Sequence, residues 1–142
     1  MIGLIVTGHG HFATGLESAL SLLGGKPSDF VSVDFPDGDT TADLSAHLAT
    51  ALDSLSGCVG VLICCDLLGG SPFKAAVLLA QGRQDVRVMA GTNLPLLLET
   101  HLTRAGYDSV DALADAALAS GHASLVKFEM AEDDEDDEED DI

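Results

Sequence analysis

Short apolar runs alternate with helical patterns along most of the chain. Ile2 to Thr7 is almost entirely apolar, which is typical of a strand buried on both faces of a sheet. Ala13 to Leu23 follows with leucines at helical spacing and ends at a Gly-Gly pair. The same alternation predicts further strands at 30–35, 59–65, 86–90 and 125–128, and helices at 40–55, 73–80, 94–104 and 110–119.

This order of elements predicts an α/β fold. Its centre is a mostly parallel four-stranded sheet in the order 2-1-3-4, with helices on both faces. In such sheets, ligands bind beyond the carboxyl ends of the strands, where the strand order reverses. Candidate functional residues are therefore sought just after each strand, at 8–11, 36–37, 66–71 and 91–93.

The acidic residues are unevenly distributed. The chain of 142 residues carries a formal net charge of -18, and ten acidic residues stand consecutively from Glu132 to Asp141. The length and this change of composition predict one domain at 1–130 and an acidic tail at 131–142, which is expected to be disordered because like charges repel. Lys and Arg form no cluster, so nucleic acid and anionic lipid surfaces are not expected as partners.

The apolar runs and the cysteines indicate a cytoplasmic protein. The longest strongly apolar run, Cys58 to Cys65, is far shorter than the ~20 residues that a membrane span requires. The first residues lack the positively charged segment of a signal peptide. The three cysteines form an odd set without zinc or CxxC spacing, and buried, reduced thiols are expected.

The glycine-rich turn after the first strand allows a nucleotide-binding interpretation. Gly8, Gly10 and Ala13 match G-x-G-x-x-A between a strand and a helix, and Asp34 stands near the end of the second strand. In a dinucleotide fingerprint, that acid binds a ribose hydroxyl and the helix N-terminus binds pyrophosphate. The motif alone is weak, and the chain lacks the second half of such a sheet, so this interpretation stays an alternative.

A phosphohistidine site is the second interpretation of the same turn. His9 follows the first strand and Asp66 the third, and these strands are neighbours in the predicted order. A carboxylate on one imidazole nitrogen fixes the tautomer and leaves the other nitrogen as a nucleophile. Ser71, predicted as a helix N-cap just before a proline, adds an anion site together with backbone N–H groups around Gly69 and Gly70.

A metal site is a further alternative at this turn. His9 and His11 form an H-x-H pair, and Asp66 would supply a third ligand. No other Cys or His follows at ligand spacing, so neither a metal nor another cofactor is expected.

Three segments of the chain resemble a known family. The runs IVTGHGHFATGLESAL, CCDLLGGSPFKAA and GTNLPLLLET are similar to the enzyme IIA component of the mannose-type sugar phosphotransferase system, in order and over residues 1 to about 128. The resemblance implies a parallel four-stranded α/β domain. It also implies a homodimer that exchanges a C-terminal antiparallel strand, here Leu125 to Phe128.

The same resemblance implies a role for each candidate residue. His9 would take a phosphoryl group from phosphorylated HPr and pass it to a IIB component, Asp66 would hydrogen-bond the imidazole, and Ser71 would contact the phosphoryl oxygens. Within the family, VDFPDGDTT and GTNLPLLLE are most similar to the N-acetylgalactosamine or galactosamine branch, ahead of the mannose, fructose and sorbose relatives. The sugar itself would be chosen by the membrane components IIC and IID.

Two related functions stay open from the sequence. One is the phosphotransfer subunit of a dihydroxyacetone kinase system, which would pass phosphate to a bound ADP instead of a IIB protein. The other is a regulatory binding module, in which phosphorylation of His9 controls a protein contact without onward transfer.

Overall fold

The computed structural model describes residues 1–131, and its strands and helices follow one another in the predicted order. The predicted acidic tail therefore lies, apart from its first residue, outside the described residues. The elements are β1 (Ile2–His9), α1 (Phe12–Gly24), β2 (Phe30–Phe35), α2 (Thr41–Ser54), β3 (Gly60–Cys65), α3 (Gly70–Ala80), β4 (Val86–Met89), α4 (Leu94–Thr103), a short 3-10 helix (Arg104–Gly106) and α5 (Val110–Ala123).

The four strands form one parallel sheet in the order β2-β1-β3-β4, which confirms the predicted topology. β1 is central, and its register places Thr7 opposite Cys65 on β3 and His9 opposite Phe35 on β2. The carboxyl ends of these three strands consequently meet at one edge of the sheet. Residues 125–128 lie in no strand of this single chain, and the exchanged strand stays a prediction.

The sheet is buried between two layers of helices. Successive residues of a strand point to opposite faces, so Leu4 and Val6 pack against α1, α4 and α5, whereas Ile5 packs against α2 and α3. Cys64 and Cys65 likewise enter different halves of the core. This double burial explains why β1 and β3 are continuously apolar and why functional side chains are confined to the strand ends.

The start of α3 differs from the prediction. The N-cap is Gly69, so Ser71 is the second helical residue instead of the cap, and Pro72 the third. Gly69 and Gly70 both have positive φ, of 84° and 74°, and only residues without a Cβ adopt such a conformation readily. This pair turns the chain sharply enough for the helix to begin earlier. Pro72 still lies in the first turn, where its missing N–H costs no hydrogen bond.

A buried arginine lies at the amino ends of β1 and β2, opposite the carboxyl ends that carry His9. Arg104 is only 2% exposed, and its guanidinium donates to the carbonyl oxygens of Ile2 at 3.0 Å and Asp29 at 2.8 Å, as well as to that of Ser28. Burial lowers the pKa of Arg104 from its ordinary value. This side chain joins the end of α4 to the start of β1 and to the loop before β2, far from the glycine-rich turn.

Candidate functional site

His9 is the last residue of β1 and stands at the carboxyl edge of the sheet. Its imidazole is about half-exposed, with 46% of the side-chain surface accessible. One side of the ring meets Phe35, at the end of β2, in an edge-on contact with 6.0 Å between ring centroids and 63° between the planes. A half-exposed ring braced on one side can meet a partner and keep its orientation.

Asp66 holds the backbone and the ring of His9 at once. Its Oδ2 accepts from the His9 backbone N–H at 2.9 Å and lies 2.8 Å from the ring Nδ1, while its Oδ1 accepts from the Leu67 N–H at 2.8 Å. Although partial burial raises the pKa of Asp66, the hydrogen bonds from His9 and Leu67 outweigh it and hold the pKa below its ordinary value. The carboxylate is thus charged at neutral pH.

An ionised carboxylate can only accept hydrogen bonds, so the proton of a neutral His9 ring lies on Nδ1. Nε2 then carries the lone pair. This nitrogen makes no hydrogen bond to any of residues 1–131, and it is therefore the ring atom open to an incoming electrophile. The contact predicted from the strand order is present, and it leaves a nucleophilic nitrogen exposed.

The N-terminus of α3 lies against the same edge of the ring. A Cβ built on Gly70 would stand 3.0 Å from Cε1 and 3.5 Å from Nε2 of His9. The first backbone N–H groups of a helix lack intrahelical acceptors and favour anions. Ser71 follows directly, half-buried at the second position of the helix. Gly70 is therefore next to the reactive edge of the ring, and Gly69 and Ser71 adjoin it in the chain.

Asp34 is engaged by the chain itself. Its Oδ1 accepts from the Thr14 N–H at 3.0 Å, and its Oδ2 accepts from the Thr14 hydroxyl at 2.6 Å and lies 3.1 Å from the Nδ1 of His11. Both oxygens already accept hydrogen bonds from the chain, which leaves fewer lone pairs for a ribose hydroxyl and weakens the nucleotide interpretation. Sequence reasoning missed this cluster, which forms only when β2 lies beside the start of α1.

The proposed metal ligands are separated into two pairs. His9 contacts Asp66, whereas His11 contacts Asp34. Within residues 1–131, no group of three or more His, Cys, Asp or Glu side chains is arranged to hold a metal ion. The H-x-H spacing therefore does not bring His11 to Asp66.

Cys64 and Cys65 are buried in the core, and His101 lies against the end of α1. Burial raises the pKa of Cys65 to about 12 and raises that of Cys64 further, so both thiols stay protonated, as expected of buried cysteines. His101 caps the end of α1, with its Nε2 3.3 Å from the carbonyl oxygen of Gly24.

An open groove of about 500 Å³ runs beside β2, between that edge strand and α2, and is lined by Val31, Val33, His47 and Thr50, among others.

Comparisons with known proteins identify relatives of this chain. Residues 3–118 match the family model of the PTS system fructose IIA component. The PTS system mannose-specific EIIAB component of Escherichia coli is 32% identical over 87% of this chain. The fructose-specific EIIA component of Bacillus subtilis is 32% identical over 70% of this chain and 68% of its own length.

The crystal structure of phosphotransferase system component EIIA from Streptococcus agalactiae has the same fold. It is 32% identical, with a TM-score of 0.84, over 90% of this chain and 98% of that chain. The present chain spans only 38% of the length of the Escherichia coli protein. The matches favour neither the dihydroxyacetone kinase subunit nor the non-transferring module. None of the described helices is long and apolar enough to cross a membrane.

Proposed function

The chain belongs to the mannose/fructose-type IIA family of the sugar phosphotransferase system, and from this premise we propose that it carries a phosphoryl group on Nε2 of His9. The observation that carries the proposal is the contact between Asp66 and Nδ1, which leaves Nε2 as the exposed nucleophile. Phosphoryl transfer needs positioning and charge stabilisation more than covalent chemistry from the protein. A fixed ring beside a helix N-terminus supplies both.

The transfer proceeds by in-line attack. The lone pair of Nε2 forms a bond to phosphorus as the bond between phosphorus and the donor's nitrogen breaks, and that nitrogen keeps the electron pair. The His9 ring becomes positively charged, with its proton still on Nδ1, and the adjacent Asp66 carboxylate stabilises that charge. In the second transfer the acceptor attacks phosphorus, and the electron pair of the P–N bond returns to Nε2.

The start of α3 stabilises the transferred group. The backbone N–H groups of Gly70 and Ser71 belong to the first turn of α3, which begins next to the His9 ring, and we expect them to face the phosphoryl oxygens. We expect the Ser71 hydroxyl to add a further donor. No metal or other cofactor is required for this step, because the helix N-terminus and the positively charged ring offset the charge of the phosphoryl group.

Donor and acceptor follow from the family. Phosphorylated HPr is the proposed donor and a IIB component the proposed acceptor, in the cytoplasm, with IIC and IID acting downstream at the membrane. The proposed sugar is N-acetylgalactosamine or galactosamine, or another sugar of the mannose type. The motifs VDFPDGDTT and GTNLPLLLE support the first choice. Relatives in the comparisons carry mannose, fructose and sorbose in their names.

A homodimer that exchanges residues 125–128 is part of the proposal. Leu125, Val126 and Phe128 are each at least 80% exposed in the single chain, although they are strongly apolar. Among the described strands, β4 pairs only with β3, so its outer edge is open. An open edge and an unburied apolar segment suit pairing with a second copy.

The direct test is intact-mass analysis after incubation with phosphoenolpyruvate, enzyme I and HPr. The wild type should gain one acid-labile phosphoryl group, and His9→Ala should gain none. Addition of purified IIB should then discharge the phosphorylated form. A folded wild type that gains no mass would refute the carrier role, and a phosphorylated form that IIB cannot discharge would point to the regulatory module.

A further inference from the structure

We infer that Asp34 is a positioning residue for the transfer, acting through the glycine-rich turn that carries His9. The inference rests on the proposed function. Asp34 does not touch His9, but its carboxylate binds the start of α1 just after that turn. Its side chain is 16% exposed, and each of its oxygens accepts at least one hydrogen bond.

The start of α1 lacks a cap of its own. The N-cap residue is His11, whose side chain makes no capping hydrogen bond, and the first turn holds no acidic residue. Asp34 supplies the missing capping hydrogen bond and the missing negative charge from the neighbouring strand. Its carboxylate accepts from the N–H of Thr14, the third residue of the helix, and lies at the helix N-terminus. The N-cap function is thus provided by β2.

The end of β2 supports the whole turn. Beside the Asp34 contacts, Gly10 and Phe35 exchange two backbone hydrogen bonds, of 2.8 Å and 3.2 Å. The Phe35 ring is the one that braces the imidazole of His9. The segment from Gly8 to Thr14 is therefore held by Asp66 on one side and by residues 34–35 on the other. Without the Asp34 contacts, the segment after Gly10 loses its anchor on β2, and only Asp66 and Phe35, among residues 1–131, still hold the His9 ring.

The charge of Asp34 is maintained by these contacts. Partial burial raises its pKa, but hydrogen bonds from the Thr14 hydroxyl and N–H and from His11 outweigh it, so the pKa lies below its ordinary value. His11 adds its Nδ1 to the same carboxylate while most of its ring stays in solvent. Two acids thus contact the motif G-H-G-H-x-x-T. Asp66 hydrogen-bonds its first histidine, and Asp34 binds its second histidine and its threonine.

The test compares Asp34→Asn with Asp37→Asn, a matched loss of charge at an exposed position three residues away. Asp34→Asn should lower kcat/KM for phosphorylation by HPr about 10-fold to 100-fold, mainly through kcat, because a misplacement of 1 Å costs roughly 100-fold. Asp37→Asn should behave as wild type. Thr14→Val, which removes the hydroxyl that binds Asp34, should reproduce part of the defect. Thr14→Ser keeps that hydroxyl and should transfer phosphate at the wild-type rate.

A second readout separates positioning from mere stability. The ¹⁵N spectrum of the His9 imidazole needs no partner protein. It should show one tautomer in the wild type and a mixture in Asp34→Asn, because a displaced turn moves Nδ1 away from Asp66 in part of the molecules. Wild-type rates and spectrum in Asp34→Asn would overturn the inference, as would a defect that matches only the unfolded fraction seen by circular dichroism. Failure of the wild type to accept phosphate would refute the proposed function instead, and the spectra would still decide the role of Asp34.

Discussion

The contact between Gly70 and the reacting edge of His9 gives a sharp test of the site. Gly70→Ala places a Cβ 3.0 Å from Cε1 and 3.5 Å from Nε2, whereas carbon atoms in ordinary contact lie about 3.5–4.0 Å apart. The ring must therefore move by about 0.5 Å, and the added methyl group would stand beside the nitrogen that is proposed to attack phosphorus. A shift of 1 Å costs roughly 100-fold, so we expect transfer to fall about 10-fold or more.

The stability effect of the same change should be modest. Gly70 has φ of 74°, and an L-residue in this region costs about 1–2 kcal/mol. Gly82→Ala is the matched control, because Gly82 has φ of 78° and a Cβ there meets nothing within 4 Å. Gly82 lies beyond the other end of α3, so it carries the backbone strain without the contact to His9.

The assay is single-turnover phosphorylation by HPr, followed by quenched-flow mass analysis, with urea unfolding measured in parallel. Both variants should lose similar stability, and only Gly70→Ala should lose transfer rate. Equal rates in the two variants would refute the placement of the α3 N-terminus beside Nε2. A slow Gly82→Ala would show that backbone strain at a positive-φ glycine slows transfer without any contact with the ring.

Three further predictions concern Asp66, the stability of the fold at low pH and the C-terminal segment. Asp66→Asn should slow transfer by about 10²–10⁴-fold in the quenched-flow assay, since the ring loses both tautomer control and charge stabilisation. The free energy of unfolding, measured with urea between pH 6 and pH 2.5, should fall as the pH drops below about 4. The pKa values of Asp34 and Asp66 are lower in the folded protein, so in this range the unfolded chain binds protons more readily and is favoured. Val126→Asp should convert the proposed dimer to monomer in light scattering after gel filtration, because the charge would enter the buried exchange interface.

Each of these predictions has its own control. Asp53→Asn, a change at an exposed acid of α2, should leave the transfer rate unchanged, and a wild-type rate in Asp66→Asn would show that this acid does not orient His9. Below about pH 4, the unfolding free energy of Asp66→Asn should depend less steeply on pH than that of the wild type. An unaltered slope would show that protonation of Asp66 does not contribute to the loss of stability in acid. Leu22→Asp changes an equally exposed leucine on α1 and should keep the dimer, whereas a dimeric Val126→Asp would argue against the exchanged strand.

The sequence predicts those features that depend on local patterns. The apolar runs of β1 and β3 are continuous because both faces of the sheet are covered, so their positions can be found without a structure. The meeting of His9 and Asp66 also follows, because it needs only the neighbouring strand order. Two adjacent parallel strands bring their carboxyl ends together whatever their side chains.

Features that depend on backbone geometry or distant contacts are harder to predict. Ser71 followed by proline has the composition of a helix start, yet the positive φ of Gly69 and Gly70 moves that start two residues earlier. The role of Asp34 needs the end of one strand to lie beside the first turn of a helix 20 residues away, which no local pattern indicates. The fate of residues 125–128 depends on a second chain.

The single free nitrogen of His9 has a kinetic consequence. Nδ1 is held by Asp66, so in the proposed function Nε2 is the only ring atom at which phosphate would enter and leave. The proposed donor and acceptor would then bind the same surface one after the other, and no ternary complex would form. Initial-rate plots should be parallel, as in double-displacement kinetics, and unphosphorylated IIB should compete with phosphorylated HPr. A chain that works in this way would be a shuttle, and its overall rate would depend on how quickly one partner dissociates before the next binds.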